Sequence, residues 1–196
     1  MIERARSGFA ATSESTSLER VSRPWPRDWE RRLSRAWVFG DDLDTDQIVP
    51  GRYAPFMVGQ DKFHTYAFCD ARPGFAKEVR PGDVLVGGEN FGCGSSREYA
   101  VAALKKHGIG GIVAKNFARI FFRNCINLGI PVLESAEALA VVHDGDAVTL
   151  DLALGLLRAP AGEARLRPLA PFAQEILAAG GVVAYLREHG DFPPVV

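Results

Sequence analysis

Ser95, Ser96 and Arg97 stand side by side behind a run of glycines, in Gly88-Glu89-Asn90-Phe91-Gly92-Cys93-Gly94-Ser95-Ser96-Arg97-Glu98. Two hydroxyls and a two-pronged guanidinium at one bend suit a carboxylate or phosphate ligand. Glycines there permit positive φ and close approach of another group. Tyr99 to His107 reads as a helix ended by Gly108, so the bend also offers the free N–H groups of a helix start, which attract anions. Ser95 and Glu98 have the spacing of a capping box, which alone would make the bend an ordinary helix start. The glycines match neither common nucleotide signature. Gly92-x-Gly94 is followed by Arg97 where the dinucleotide fingerprint needs a third Gly, and no Gly-Lys-Ser/Thr is present.

Other chemistry-bearing residues flank the bend. Asp42, Asp44 and Asp46 alternate like the start of a calcium loop. The sixth position, however, is Gln47 rather than Gly and the twelfth is Tyr53 rather than Glu. The stretch reads as a solvated acidic loop, or as one whose Asp and Thr side chains fix the backbone. Gly51 to Gly59 is an apolar loop with one cation, Arg52, suited to exposure for binding or to packing as a lid. His64 has no second histidine or carboxylate at metal spacing and reads as a surface or satisfied histidine. Cys69, Cys93 and Cys125 are odd in number and widely spaced, so the chain encodes neither a disulfide framework nor a zinc or iron–sulfur site. No metal site is expected.

The elements that position these residues are a pair of βα repeats. Asp83 to Gly87, after Pro81-Gly82, reads as a buried strand leading into the glycine bend. Gly111 to Lys115 is a second strand, with Asn116 a candidate cap. The helix that follows carries an apolar stripe of Ala118, Phe121, Phe122, Cys125 and Leu128. Ile130 to Leu133 is a third strand. Successive βα units favour parallel strands, which brings both helix starts to the carboxyl ends of the strands, with Arg97, Lys115 and Arg119 converging there. Upstream, Arg35 to Gly40 is a short strand, and Asp61 to Phe68 and Gly74 to Val79 are short helices. Downstream, short alternating strands between Gly145 and Arg167 suggest β-hairpins. Pro171 to Ala179 is a helix started by Pro, and Val182 to His189 is another. The fold class is α/β: a short parallel βαβ core with added β-hairpins and C-terminal helices.

The 196 residues suffice for one domain plus tails, and 47% hydrophobic with 24% charged is ordinary for a soluble globular chain. With 23 basic and 24 acidic residues the net charge is −1, so nothing points to nucleic acid or an anionic membrane as partner. No apolar run approaches the roughly 20 residues of a membrane span. Residues 1–32 read as a flexible extension without a secretory signal, with Trp25 and Trp29 as its odd feature. Residues 33–196 read as the domain. A reducing cytoplasm fits the cysteine usage.

The three motifs in this order carry a resemblance. Gly88-x-Asn90-Phe91-Gly92-Cys93-Gly94-Ser95-Ser96-Arg97-Glu98, with Asp44-Thr45-Asp46 upstream and Ala114-Lys115-Asn116-Phe117-Ala118-Arg119-Ile120 downstream, resembles the small subunit of 3-isopropylmalate dehydratase. That subunit is the separate-chain form of the swivelling domain of the aconitase superfamily. The resemblance runs from about Arg35 to the C-terminus. It implies a swivelling β/β/α fold and a hydro-lyase assembled with a large subunit that carries a [4Fe-4S] cluster. This chain itself would bind no cofactor and would be inactive alone. By the resemblance, Ser95 is the general base, Ser96 and Arg97 hold a substrate carboxylate, and Thr45, Asp46, Arg52, Lys115 and Arg119 belong to the substrate site. Tyr53, Ala54, Pro55, Phe56 and Met57 lie where the family discriminates substrate side groups. An apolar loop suits the isopropyl group of isopropylmalate, whereas Arg52 is placed to meet the third carboxylate of homoaconitate; the reading leans to isopropylmalate. Tyr99 departs from the His that many relatives place there.

Overall fold

The computed structural model of the chain describes residues 33–193. The expected extension over residues 1–32, with Trp25 and Trp29, lies outside the described residues.

The apolar runs become strands β1 (Ser34–Val38), β2 (Val84–Gly87), β3 (Gly111–Ala114) and β4 (Val132–Glu134). Three more follow: β5 (Ala147–Asp151), β6 (Leu156–Ala159) and β7 (Gly162–Arg165). The helices are α1 (Thr45–Ile48), α2 (Pro55–Val58), α3 (Phe75–Glu78), α4 (Glu98–Lys106), α5 (Arg119–Leu128), α6 (Ala138–Val141), α7 (Pro171–Ala178) and α8 (Val182–His189). Single 3-10 turns cover Gly51–Tyr53 and Phe63–Tyr66. The helix expected over 61–68 is therefore only this second turn.

Among the described residues the strands form one sheet in the order β4-β3-β2-β1-β5-β6-β7. The β1–β4 half is parallel, as βα repeats require. The β5–β7 half is antiparallel and joins at β1, with Ser34 opposite Val148. The alternation of side chains along each strand separates two cores. Trp37, Leu85 and Ile112 face a layer built from α4, α5, α7 and α8, with Phe63, Phe68, Phe75, Phe91 and Phe121 in it. Ala36, Val84, Val86, Val113 and Leu133 face the other way, onto Val148, Leu150, Leu157 and Ala164 of the antiparallel half. The sheet thus curls over on itself, giving β, β and helix layers. Buried on both faces, β2 and β3 are continuous apolar runs rather than alternating ones.

The apolar stripe expected on α5 packs as foreseen, with Ile126 joining it, and the helix stops at Gly129 with φ +78°. Asp83 is the buried carboxylate beneath this layer. It accepts from Trp37 Nε1 (2.9 Å), Arg80 N (2.9 Å) and Arg35 N (3.3 Å), so its charge is met by donors. Among the described residues no helix is long and apolar enough to cross a membrane.

Candidate active site

Three connections leave the carboxyl ends of β1, β2 and β3 and stay paired beyond the sheet. Asp44 bridges Cys93 and Phe91 bridges Phe117, both in parallel register. Backbone bonds run from Gly92 N to Leu43 O (2.7 Å), Thr45 N to Cys93 O (3.0 Å), Phe91 N to Asn116 O (3.1 Å) and Ala118 N to Phe91 O (3.0 Å). Side chains reinforce them: Asn90 Nδ2 donates to Asp42 (2.8 Å) and Asn116 Oδ1 accepts from Asn90 N (2.7 Å). The alternating aspartates therefore fix backbone shape, the second of the two readings drawn from the sequence. Phe91 is fully buried, meets Phe117 edge-on and lies tilted against Phe121. Gly92, at φ +78°, lies directly on the Phe121 ring, where a Cβ would collide with it.

Two caps differ from expectation. α4 begins at Glu98 with Arg97 as its N-cap and no side-chain cap bond, so the Ser95/Glu98 capping box does not form. The reason is the path of the bend: Ser95 O turns back to accept from Arg97 N (2.8 Å). A true capping box closes α1 instead, between Asp44 and Gln47, at a spacing the sequence displays. Asn116 caps no helix either; Ala118 occupies that position for α5.

Ser95 and Ser96 are exposed, and their hydroxyls bond to none of the described residues. The N–H groups of Ser96, Glu98 and Tyr99 are likewise unbonded among the described residues. Thr45 is 2% exposed, and its hydroxyl donates to Ser95 O at 3.0 Å. That hydroxyl holds the Ser95 carbonyl. Arg97 is paired with Asp46, whose Oδ1 also accepts from Gly51 N at 2.8 Å. The hydrogen bond from Arg97 holds the Asp46 carboxyl below its ordinary value, although burial opposes the shift. A Cβ at Gly51 would stand 3.3 Å from Arg97 Nη1, so the root of the apolar loop abuts the guanidinium. Thr45, Asp46, Gly51, Ser95 and Arg97 thus form one contact set.

The other candidates lie outside this contact set. Arg52 is held by Asp70, with Nη2 at 2.7 and 2.6 Å from the two carboxylate oxygens, and its guanidinium lies 4.8 Å from the Tyr53 ring. Tyr53 stacks on Tyr66 at 3.9 Å and 2°. Ala54 is buried and Pro55 half-buried, while Phe56 and Met57 are 82% and 64% exposed at the tip. Lys115 is paired with Glu89. Arg119 is exposed at the first position of α5 and has no ion pair among the described residues. Cys93 donates weakly to Asp42 O (3.5 Å), and burial, with Asp44 and Asp42 nearby, pushes its thiol up. Cys125 is fully buried, and burial raises its thiol further. Among the described residues no three His, Cys, Asp or Glu side chains gather as a metal-ligand set. Asp46 as the partner of Arg97, and His64 as a half-buried ring, are features sequence reasoning missed. The first joins segments 51 residues apart with no local signal.

Residues 45–138 match the family described as the aconitase C-terminal domain. The homoaconitase small subunit of Thermus thermophilus is 55% identical over 161 residues, 82% of this chain and 99% of that protein. The 3-isopropylmalate dehydratase small subunit 1 of Deinococcus radiodurans is 52% identical over 161 residues, covering 82% of this chain and 90% of its own length. The crystal structure of 3-isopropylmalate dehydratase (leuD) from Methanocaldococcus jannaschii superposes with a TM-score of 0.72 at 40% identity, covering 80% of this chain and 93% of that one. With relatives this similar over four-fifths of its length, the chain belongs to the family of aconitase-type small subunits of hydro-lyases.

Proposed function

We propose that the chain is the small subunit of a two-subunit hydro-lyase that isomerises 2-isopropylmalate to 3-isopropylmalate by dehydration and rehydration. The observation that carries this reading is the free, exposed Ser95 hydroxyl beside Arg97, on a bend whose backbone is fixed from two sides.

Ser95 acts as the base. Its Oγ, deprotonated, takes the proton from the carbon next to one carboxylate while the hydroxyl leaves from the adjacent carbon. The proton taken up by Ser95 and the departing hydroxyl together make one water, which leaves isopropylmaleate and a deprotonated Ser95; re-addition with the two positions exchanged gives the isomer. The N–H groups of Ser96, Glu98 and Tyr99 and the Arg97 charge favour the alkoxide and a substrate carboxylate. These donors act strongly only in a closed, water-poor site, and the free chain leaves Ser95 open to solvent. A large subunit must therefore cover it. The [4Fe-4S] cluster belongs to that subunit and supplies a Lewis acid for the departing hydroxyl; the described residues of this chain offer no ligand set for it.

The choice of isopropylmalate rests on the loop. Its exposed tip is Phe56 and Met57, and its one cation is engaged by Asp70. A second reading, homoaconitate, is favoured by the Thermus thermophilus relative; it requires Arg52 to leave Asp70. The test mixes the purified chain with a cluster-bearing large subunit and measures turnover of both substrates. Ser95→Ala is expected to lower kcat by at least about 10³-fold with assembly intact, the scale on which removing a reacting group acts. Assembly without turnover by the unaltered chain would overturn the reading. A higher kcat/KM for homoaconitate would select the second substrate.

A further inference from the structure

The apolar loop is attached to α4 at both ends of that helix. At the start, Gly51 lies against Arg97, the N-cap. At the other end, Lys106 Nζ donates to Gln60 O (2.6 Å), and His107, the C-cap, holds His64 O at 2.8 Å through Nε2. A carbonyl only accepts, so Nε2 of His107 carries the proton. Nine helical residues separate the two attachments, a rigid span of about 13.5 Å. Phe63 beneath is 1% exposed. Two residues beyond His64, Tyr66 stacks on Tyr53 inside the loop. The position of Phe56 and Met57 relative to Arg97 is therefore set by where the 63–66 turn sits on the end of α4.

That attachment contains an oddity. His64 Nδ1 is the one buried side-chain polar atom without a hydrogen-bond partner among the described residues. A neutral ring can leave a lone pair there. A protonated ring has N–H on both nitrogens, and at Nδ1 it would bury a donor with no acceptor, which is costly. The His107 ring, at the end of α4, lies 5.4 Å from the His64 ring, and Lys106 is on the same helix; both oppose a proton on His64, while Asp61 in its own loop favours one. The neighbouring α3 presents Phe75, which packs on His107. Burial is the main cause that pushes His64 below the ordinary histidine value.

We propose that His64 and His107 are positioning residues for the substrate loop: His107 clips the 63–66 turn to α4, the clip needs a neutral His64, and mild acid releases this end of the loop. The inference rests on the reading of residues 53–57 as the substrate loop.

The test has one readout that does not depend on activity. In the full chain, amide exchange across residues 55–67, corrected for intrinsic rates, is compared at pH 7.5 and 5.5. The unaltered chain is expected to lose protection at pH 5.5 by about fivefold or more, the scale of one hydrogen bond, and His64→Phe to lose none. His107→Gln, whose amide can still donate to His64 O, should behave as the unaltered chain at pH 7.5, and His107→Ala should exchange faster at both pH values. Should His64→Phe not fold, His64→Gln, neutral throughout, makes the same comparison. In the assembled enzyme, KM should rise on acidification by about fivefold more than in His64→Phe, with kcat following one profile in both. Coincident exchange and coincident KM profiles would overturn the anchor. Exchange as expected in a complex that lacks turnover would leave the anchor standing and remove the reading of the reaction.

Discussion

Thr45→Val removes one hydroxyl and almost nothing else, and it separates the placement of Ser95 from the stability of the fold. Thr45 is 2% exposed and donates to Ser95 O at 3.0 Å. Valine fills the same space without the donor. Ser95 O is not orphaned, because Arg97 N still donates to it at 2.8 Å. The stability cost is then that of a single net hydrogen bond, about 1 kcal/mol, or roughly 2–4 °C in Tm for a body of this size. The effect on turnover is larger. With one of its two restraints gone, the Ser95 peptide can rotate about the Arg97 N–H, and a 1 Å misplacement of a reacting group can cost about 10²-fold. The expected result is kcat lowered by about 10- to 100-fold, KM within about threefold, and unchanged assembly with the large subunit. Thr45→Ser, which keeps the donor, should restore most of the rate. Steady-state hydration of isopropylmaleate at saturating large subunit, with thermal unfolding alongside, measures all of this. A Thr45→Val enzyme with kcat within twofold of the unaltered one would refute the idea that Thr45 places the base.

Asp46→Asn should raise KM by roughly three- to tenfold, because the amide oxygen can still accept from Gly51 N but no longer offers Arg97 a carboxylate charge. The Asp46 side chain is 53% exposed, so the stability cost at pH 7 should stay below about 1 kcal/mol. Its depressed carboxyl contributes stability above the ordinary carboxylate range and loses it as pH falls through and below that range. Urea midpoints measured down to pH 3 should therefore decline less steeply in Asp46→Asn. Gly92→Ala places a Cβ into the buried Phe121 ring at a φ of +78°, and a loss of roughly 2–4 kcal/mol or a failure to fold is expected. A soluble Gly92→Ala chain with unchanged Tm would contradict the conformation described for the bend.

The parallel half of the sheet was legible because its strands announce themselves. Val84–Gly87 and Gly111–Ala114 are buried on both faces and so are apolar throughout. The glycine bend was legible from spacing, and Ser95, Ser96 and Arg97 do sit together at a strand's carboxyl end. What spacing could not supply is partnership across the chain. Arg97 with Asp46, Arg52 with Asp70 and His107 with His64 join residues 51, 18 and 43 apart, and no local periodicity encodes such pairs. Ser95/Glu98 and Asp44/Gln47 both show capping-box spacing, and only the second closes. The signal was present twice, and tertiary pairing of the bend with the β1 connection decided which one formed. The antiparallel half was read as hairpins but not as the cover of a second core. Which face an alternating strand buries depends on what lies above it.

β1 occupies the middle of the sheet, with β2 on one side and β5 on the other. Its last residues lead toward Thr45 and Ser95, while Ser34 begins it at the opposite end, a strand length of roughly 16 Å away. The chain therefore enters β1 at the end of the strand opposite the proposed site. It also finds no vacant strand edge at its point of attachment, since both flanks of β1 are taken. A tag that replaces residues 1–32 would, on the proposed reading, join β1 at the end opposite Ser95, a placement suited to immobilised binding measurements with the large subunit.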